Sequence, residues 1–317
     1  MSILVSGSIA YDQIMRFNGK FKDHILPDKI HIINLSFLVD ELNKNLGGTG
    51  GNIAYNLALL GEHPYLFGTV GKDFDIYAEH CQKVGIDIRF VQTHADLFTA
   101  NFFVTTDLDH NQIAAFYPGA MARSAQNSIH QAHAENPMDL AIISPDDPQA
   151  MILHCEQCRE AGIPFIFDIG QQVIALDGEQ LLACVKGARA LICNDYEIEV
   201  FLSKAEKKVD DLLELTDAVV ITEGAKGSEI VTKGTTFDIR PGIARTLVDP
   251  TGAGDAYRAG FLFGMAHACD WHICGQIASI AAVYAVEQAG TQMHRYTLEE
   301  FCTRYQETFG EACPVHA

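Results

Sequence analysis

Six short apolar runs divide this chain at intervals, and stretches with helical spacing fill most of the gaps between them. The runs are residues 3–5, 65–70, 140–144, 164–168, 188–193 and 218–222. Each is short enough for a strand and too evenly apolar for a strand with one wet face, which predicts burial on both sides. Residues 52–60, 74–84, 148–160 and 179–185 carry the helical spacing. Strands alternating with helices make βαβ units, so the expected class is α/β: a doubly wound, mostly parallel sheet with helices on both faces. The last third differs. Residues 254–268, 272–287 and 298–309 are successive helix candidates without strands between them, and they are expected to cover one side of the sheet.

Two stretches break the alternation, residues 15–45 and 99–117, where β-branched and aromatic residues surround turn signals such as Asp109-His110-Asn111. The second reads as a hairpin with strands at 100–106 and 112–117. Both are assigned to a small β-rich lid, residues 15–45 and 98–118, formed by excursions from a core of residues 1–14, 46–97 and 119–317.

The 22 Lys and Arg against 41 Asp and Glu give a formal net charge of −19, which repels nucleic-acid polymers and anionic membranes alike. An anionic small molecule needs a local device to bind such a surface. Residues 1–12 have no basic region ahead of their apolar stretch, and no apolar run approaches the roughly 20 residues of a membrane span. Nine scattered cysteines suit free thiols in a reducing, cytoplasmic setting. Cys155-x-x-Cys158 is half of a zinc pattern without a second close pair.

The sharpest local device is Asp249-Pro250-Thr251-Gly252-Ala253-Gly254-Asp255-Ala256, which runs straight into an apolar helix. Its glycines let backbone approach a ligand, and the first N–H groups of the helix are unpaired, which makes an anion hole. An Asp at its mouth can take a proton from an attacking hydroxyl. The same residues also suit a plain capped helix start. The octet resembles the C-terminal signature of the ribokinase-like (PfkB) kinases. The resemblance implies Asp255 as catalytic base, with the amides of Gly252, Ala253 and Gly254 as the anion hole. Pro250 stands where the family usually has a second Thr, a departure that touches the turn and not the base.

Further elements fit the same family. Gly47-Gly48-Thr49-Gly50-Gly51-Asn52, placed before a helix at 53–60, resembles its sugar-contacting glycines; taken alone, the run is equally a flexible turn. The resemblance puts Gly47, Gly48, Asn52, Ser8 and Asp12 at the acceptor, and a carboxylate such as Asp12 can accept from two vicinal hydroxyls. Asn194-Asp195-Tyr196-Glu197 resembles the family's Asn-x-x-Glu element, which implies a role for Asn194 beside the nucleotide and for Glu197 toward Mg²⁺. A helix cap with acidic residues in its first turn is the plain alternative. Thr222-Glu223-Gly224-Ala225-Lys226-Gly227 resembles the nucleotide-binding turn, with Thr222, Gly224 and Gly227 toward ATP. Neither a Gly-x-x-x-x-Gly-Lys-Ser/Thr loop nor a Gly-x-Gly-x-x-Gly fingerprint is present.

Stretches from Gly7 to Gln292, among them residues 35–40 with Ser36, 112–121 and 291–292, are similar to bacterial adenosine kinases. That resemblance implies phosphorylation of the 5′-hydroxyl of adenosine by Mg·ATP. Phe102 and Phe116 lie on the two hairpin strands, where aromatic faces can stack on a purine, and the amides of Gln171 and Gln172 can pair with its edge; the resemblance selects Phe102 over Phe103 and places both glutamines in the nucleoside pocket. The lid's own core, or solvent-exposed glutamines, would use the same residues. Because strand neighbours face opposite ways, Phe103 is expected on the outer, exposed face of the lid, where it invites a homodimer. A sugar or other nucleoside kinase, or a non-catalytic ligand sensor, would use the same scaffold.

Overall fold

The computed structural model describes residues 1–25, 31–32 and 34–315, so part of the first lid stretch, 26–30 and 33, lies outside the described residues. Thirteen strands occur among them: β1 (Ile3–Ser6), β2 (Ala10–Arg16), β3 (Glu41–Gly47), β4 (Tyr65–Gly71), β5 (Asp87–His94), β6 (Ala100–Thr106), β7 (Gln112–Tyr117), β8 (Leu140–Ile143), β9 (Phe165–Asp168), β10 (Ala190–Asn194), β11 (Ala218–Thr222), β12 (Ser228–Thr232) and β13 (Thr235–Ile239). The helices are α1 (Thr49–Leu59), α2 (Asp75–Val84), α3 (Ile129–Glu135), α4 (Pro148–Ala161), α5 (Gly178–Val185), α6 (Asp195–Ala205), α7 (Val209–Leu212), α8 (Ala253–Ala266), α9 (Trp271–Val286) and α10 (Leu298–Phe309).

The large sheet runs β13-β12-β11-β10-β9-β8-β1-β4-β5, parallel from β11 to β5 with β12 and β13 antiparallel at one edge. All six apolar runs became its buried strands, because a parallel strand covered on both faces needs apolar side chains in both directions. Alternation divides them: Ile3 and Val5 join a core with Ile53, Tyr77, Phe261, Ile277 and Phe301, whereas Leu4 joins Ile129, Met151, Leu181 and Phe201. Helices α1, α2, α8, α9 and α10 therefore cover one face, and α3 to α7 the other. The three C-terminal helices do lie together on one side. Strands β5, β12 and β13 carried no such run in the sequence, since they lie toward the sheet's edges and keep polar residues on their open faces.

A second sheet has the order β3-β2-β6-β7. Its hairpin strands match the expected 100–106 and 112–117, but its first strand starts at Ala10, upstream of residue 15. The chain leaves the core at Gly7 and goes directly into the small sheet. Asp107 locks the turn of the hairpin. Its carboxylate accepts from the backbone N–H groups of Phe21, Asp109 and Asn111 at 2.9, 2.9 and 2.8 Å, tying the hairpin to the loop that stacks Phe17, Phe21 and Phe37.

Candidate active site

Helix α1 begins at Thr49, inside the glycine run and not at residue 52 or 53. Packing explains this early start. A Cβ on Gly50 would lie 2.8 Å from the Gly7 backbone and one on Gly48 2.5 Å from the Ser8 carbonyl oxygen, so only glycines let the helix meet the end of β1. Gly48 also sits at φ +85°. A side chain on Gly47 would strike the Asp12 carboxylate, which thereby lies flat against β3. Ser8 Oγ accepts from Thr49 N–H at 3.1 Å and closes the turn.

The glycine-flanked start of α8 comes to the same place. Gly252 is its N-cap at φ +82°, and Asp255 occupies the first turn. Asn52 Nδ2 donates to Asp255 Oδ2 at 2.8 Å, joining two motifs that lie 203 residues apart in sequence. Of the three amides expected to form the anion hole, that of Ala253 is spent on the Pro250 carbonyl at 3.2 Å, whereas those of Gly252 and Gly254, and the Asp255 amide after them, donate to no backbone acceptor among the described residues.

Burial dominates the electrostatics. It pushes the Asp255 carboxyl up to about 6 against the opposing pull of Asn52 and Arg258. Asp12 also rises to about 6, through burial first and then the Asp255 charge. Arg258, one turn along α8, went unnoticed in the sequence. Its Nε lies 2.7 Å from Asp168 Oδ1, its Nη2 lies 3.7 Å from Glu197 Oε2, and its Nη1 donates to the Gly254 carbonyl at 3.2 Å. Burial lifts Asp168 to about 7 even beside this guanidinium. The Arg258 side chain thus braces the glycine turn that opens α8 against Asp168 at the end of β9 and Glu197 in the first turn of α6. An Arg inside an apolar helix, with acidic residues closing two strands, was the signal that could have revealed it.

Asn194 and Glu197 form a reciprocal cap on α6: Glu197 N–H donates to Asn194 Oδ1 and Asn194 N–H to Glu197 Oε2, both at 2.8 Å. The cap reading is therefore the geometry seen, and it aims Glu197 toward Arg258. These contacts use Oε2 and leave Oε1 out, and a carboxylate oxygen is the kind of hard donor that Mg²⁺ prefers. Among the described residues no cluster of three or more His, Cys, Asp or Glu side chains could cage a metal by itself. Thr222 ends β11, and its hydroxyl donates to the Cys193 carbonyl at 3.3 Å. Gly224 is open to solvent, whereas Gly227 is required by packing, since a Cβ there would lie 2.0 Å from the Ile239 carbonyl oxygen. Cys155 and Cys158 are buried within α4.

The small sheet faces this site. In register, Asp12 on β2 stands beside Phe102 on β6, and Phe102 beside Phe116 on β7, so the three make one row across one face. Phe102 is 37% and Phe116 51% exposed, too open to be the lid's own core. Phe103 faces the opposite way and is half-buried, less open than expected, with Ile113 and Tyr117 as the more exposed residues of that face. Gln171 is exposed, while Gln172 is half-buried and donates through Nε2 to the Asp146 carbonyl at 2.7 Å. Ser36 is exposed, in an irregular stretch before β3.

A doubly wound sheet with a separate four-stranded sheet and a glycine-capped helix carrying Asp255 in its first turn is a ribokinase-like fold. The chain belongs to the pfkB family of carbohydrate kinases, whose profile matches residues 14–296. It is 32% identical over 315 residues to a nucleoside kinase of Methanothermobacter thermautotrophicus, covering 99% of this chain and 98% of that one. It superposes on the Burkholderia thailandensis nucleoside kinase in complex with inosine with a TM-score of 0.87 at 38% identity, covering 98% and 99% of the two chains. The ADP-inosine complex of that enzyme gives 0.85 at 39%, covering 98% and 97%. No helix among the described residues is long and apolar enough to cross a membrane.

Proposed function

We propose that this chain transfers the γ-phosphoryl group of Mg·ATP to the 5′-hydroxyl of a purine nucleoside, with adenosine as the substrate the sequence resemblance points to. The observation that carries this reading is the row Asp12, Phe102, Phe116 facing Asp255. Strands lie about 4.8 Å apart, so a carboxylate that accepts from ribose hydroxyls stands one strand from the first stacking ring and two from the second. A bare sugar has no use for the rings. Gln172 gives one of its two amide N–H groups to the Asp146 carbonyl, and its other N–H and its carbonyl oxygen suit the N1 and N6–H of adenine or the O6 and N1–H of hypoxanthine equally. The inosine complex of the Burkholderia enzyme supports hypoxanthine nucleosides as a second reading.

In the proposed mechanism Asp255 takes the proton of the 5′-hydroxyl as its oxygen attacks phosphorus, while the open amides of the α8 turn stabilise charge on the transferring group. A carboxyl lifted to about 6 is a stronger base than an exposed one yet still ionised at neutral pH. Thr222, Gly224 and Asn194 line the nucleotide side at the carboxyl ends of β11 and β10. Mg²⁺ bound with ATP would neutralise phosphate charge, and Glu197 would hold it through water. The outer lid face, with Phe103, Ile113 and Tyr117, would pair two copies. A coupled assay of adenosine, inosine and ribose with Mg·ATP tests the reading: nucleosides should support ADP release far better than ribose. Ribose preferred over both nucleosides would refute it.

A further inference from the structure

We infer that Gln292 is a positioning residue for the catalytic base: by holding the carboxamide oxygen of Asn52, it fixes which end of that amide meets Asp255. This deepens the proposed function and rests on its assignment of Asp255 as base. The argument starts at a backbone carbonyl, a group that can only accept. Tyr77 OH donates its single proton to the Gly47 carbonyl at 2.9 Å. The phenol must then accept from Gln292, whose Nε2 lies 2.7 Å away. That places the nitrogen of Gln292 toward Asn52 as well, and it donates to Asn52 Oδ1 at 2.9 Å. Asn52 is left with its nitrogen pointing at Asp255 Oδ2, at 2.8 Å.

Each hydrogen bond in this chain has one consistent direction, dictated by Gly47; Gln292 Oε1 is buried without a hydrogen-bond partner among the described residues, and the titratable group beside Gln292 is His80, whose imidazole is held below its ordinary value by burial. Asn52, Tyr77 and Gln292 are 4%, 0% and 3% exposed, so water does not compete to reverse it. Gly51 is part of the device, because a Cβ there would lie 1.8 Å from the Tyr77 hydroxyl and displace it. Without Gln292, the Asn52 amide could turn its oxygen toward Asp255, setting acceptor against acceptor at the atom that must take the proton. The other charged groups around Asp255 are Arg258, Glu197, Asp12 and Asp168, and none of them touches Gln292.

The test is a titration of the Asp255 carboxyl by carbon NMR in ligand-free protein, comparing wild type with Gln292→Met, which keeps the volume and removes the donor. Losing a hydrogen bond to an ionised group should move the midpoint upward by about 1–2 pH units. The acid limb of kcat for adenosine phosphorylation should move with it, while KM for adenosine stays within about twofold. Tyr77→Phe should shift both in the same direction and by less. If Gln292→Met does not fold, Gln292→Leu replaces it, since it too removes the donor to Asn52 and adds no charge near Asp255. An unmoved midpoint in a folded variant, or a raised KM with an unmoved acid limb, overturns the inference. A wild type that phosphorylates no nucleoside, with a midpoint that still moves, removes the proposed function and leaves the positioning of Asp255 intact.

Discussion

Replacing Asp255 by Asn isolates the proton-accepting step from everything else in the site. An amide of the same shape keeps the helix turn, and its oxygen can still accept from Asn52 Nδ2, which lies 2.8 Å from the present carboxylate. Substrate binding is therefore expected to survive. What disappears is basicity in the transition state. A positioned base contributes typically 10²–10⁴-fold, roughly 3–5 kcal/mol of barrier. The upper half of that range is expected here, because burial raises this carboxyl to about 6, close to working pH, where a base is most effective. The wild-type kcat/KM should fall as pH drops through about 6, since the protonated acid cannot accept, and Asp255→Asn should lose that limb along with its rate. Steady-state kinetics across pH, with calorimetric nucleoside and ATP affinities, give the comparison. Near-normal turnover in Asp255→Asn, or a lost affinity that accounts for the whole defect, would refute the assignment.

Removing Arg258 (Arg258→Met) leaves Asp168 buried without its partner and should cost about 3–5 kcal/mol of stability, read by urea unfolding. Asp12 has a folded pKa near 6, above its unfolded value, so the folded state binds more protons and stability is lost as pH rises between about 4 and 6. Asp12→Asn should then stabilise the fold by about 1–2 kcal/mol at pH 7.5, after allowing for solvent screening, and not at pH 4, read by urea unfolding at the two pH values, while weakening nucleoside binding. Phe102→Ala and Phe116→Ala should each weaken adenosine binding by about 1–3 kcal/mol and leave ribose binding unchanged; wild-type adenosine KM in both would return these rings to a structural role. Phe103→Glu should sediment as a monomer with its chemistry retained, and an unaltered oligomer that fails to bind nucleoside would reverse the facing of that strand.

The sequence by itself was enough for the fold class, because the six apolar runs can be buried only as covered parallel strands, and the same rule missed β5, β12 and β13, whose open faces leave no such pattern. It also marked the octet at Asp255, the hairpin and the caps, all of them features whose physical cause lies within a few residues. Tertiary structure decided the rest. The reach of Asn52 to Asp255, the placing of Arg258 between Asp168 and Glu197, and the chain from Gly47 through Tyr77 and Gln292 join residues far apart along the chain. No local spacing encodes such contacts. The same holds for Gly50 and Gly51, which read as a loose turn ahead of a helix and are in fact its first turn, since only the approach of Gly7 and Tyr77 shows what a side chain there would strike. Even the raised carboxyls of Asp12 and Asp255 come from folding, because desolvation is set by what packs around a group and not by its neighbours in sequence.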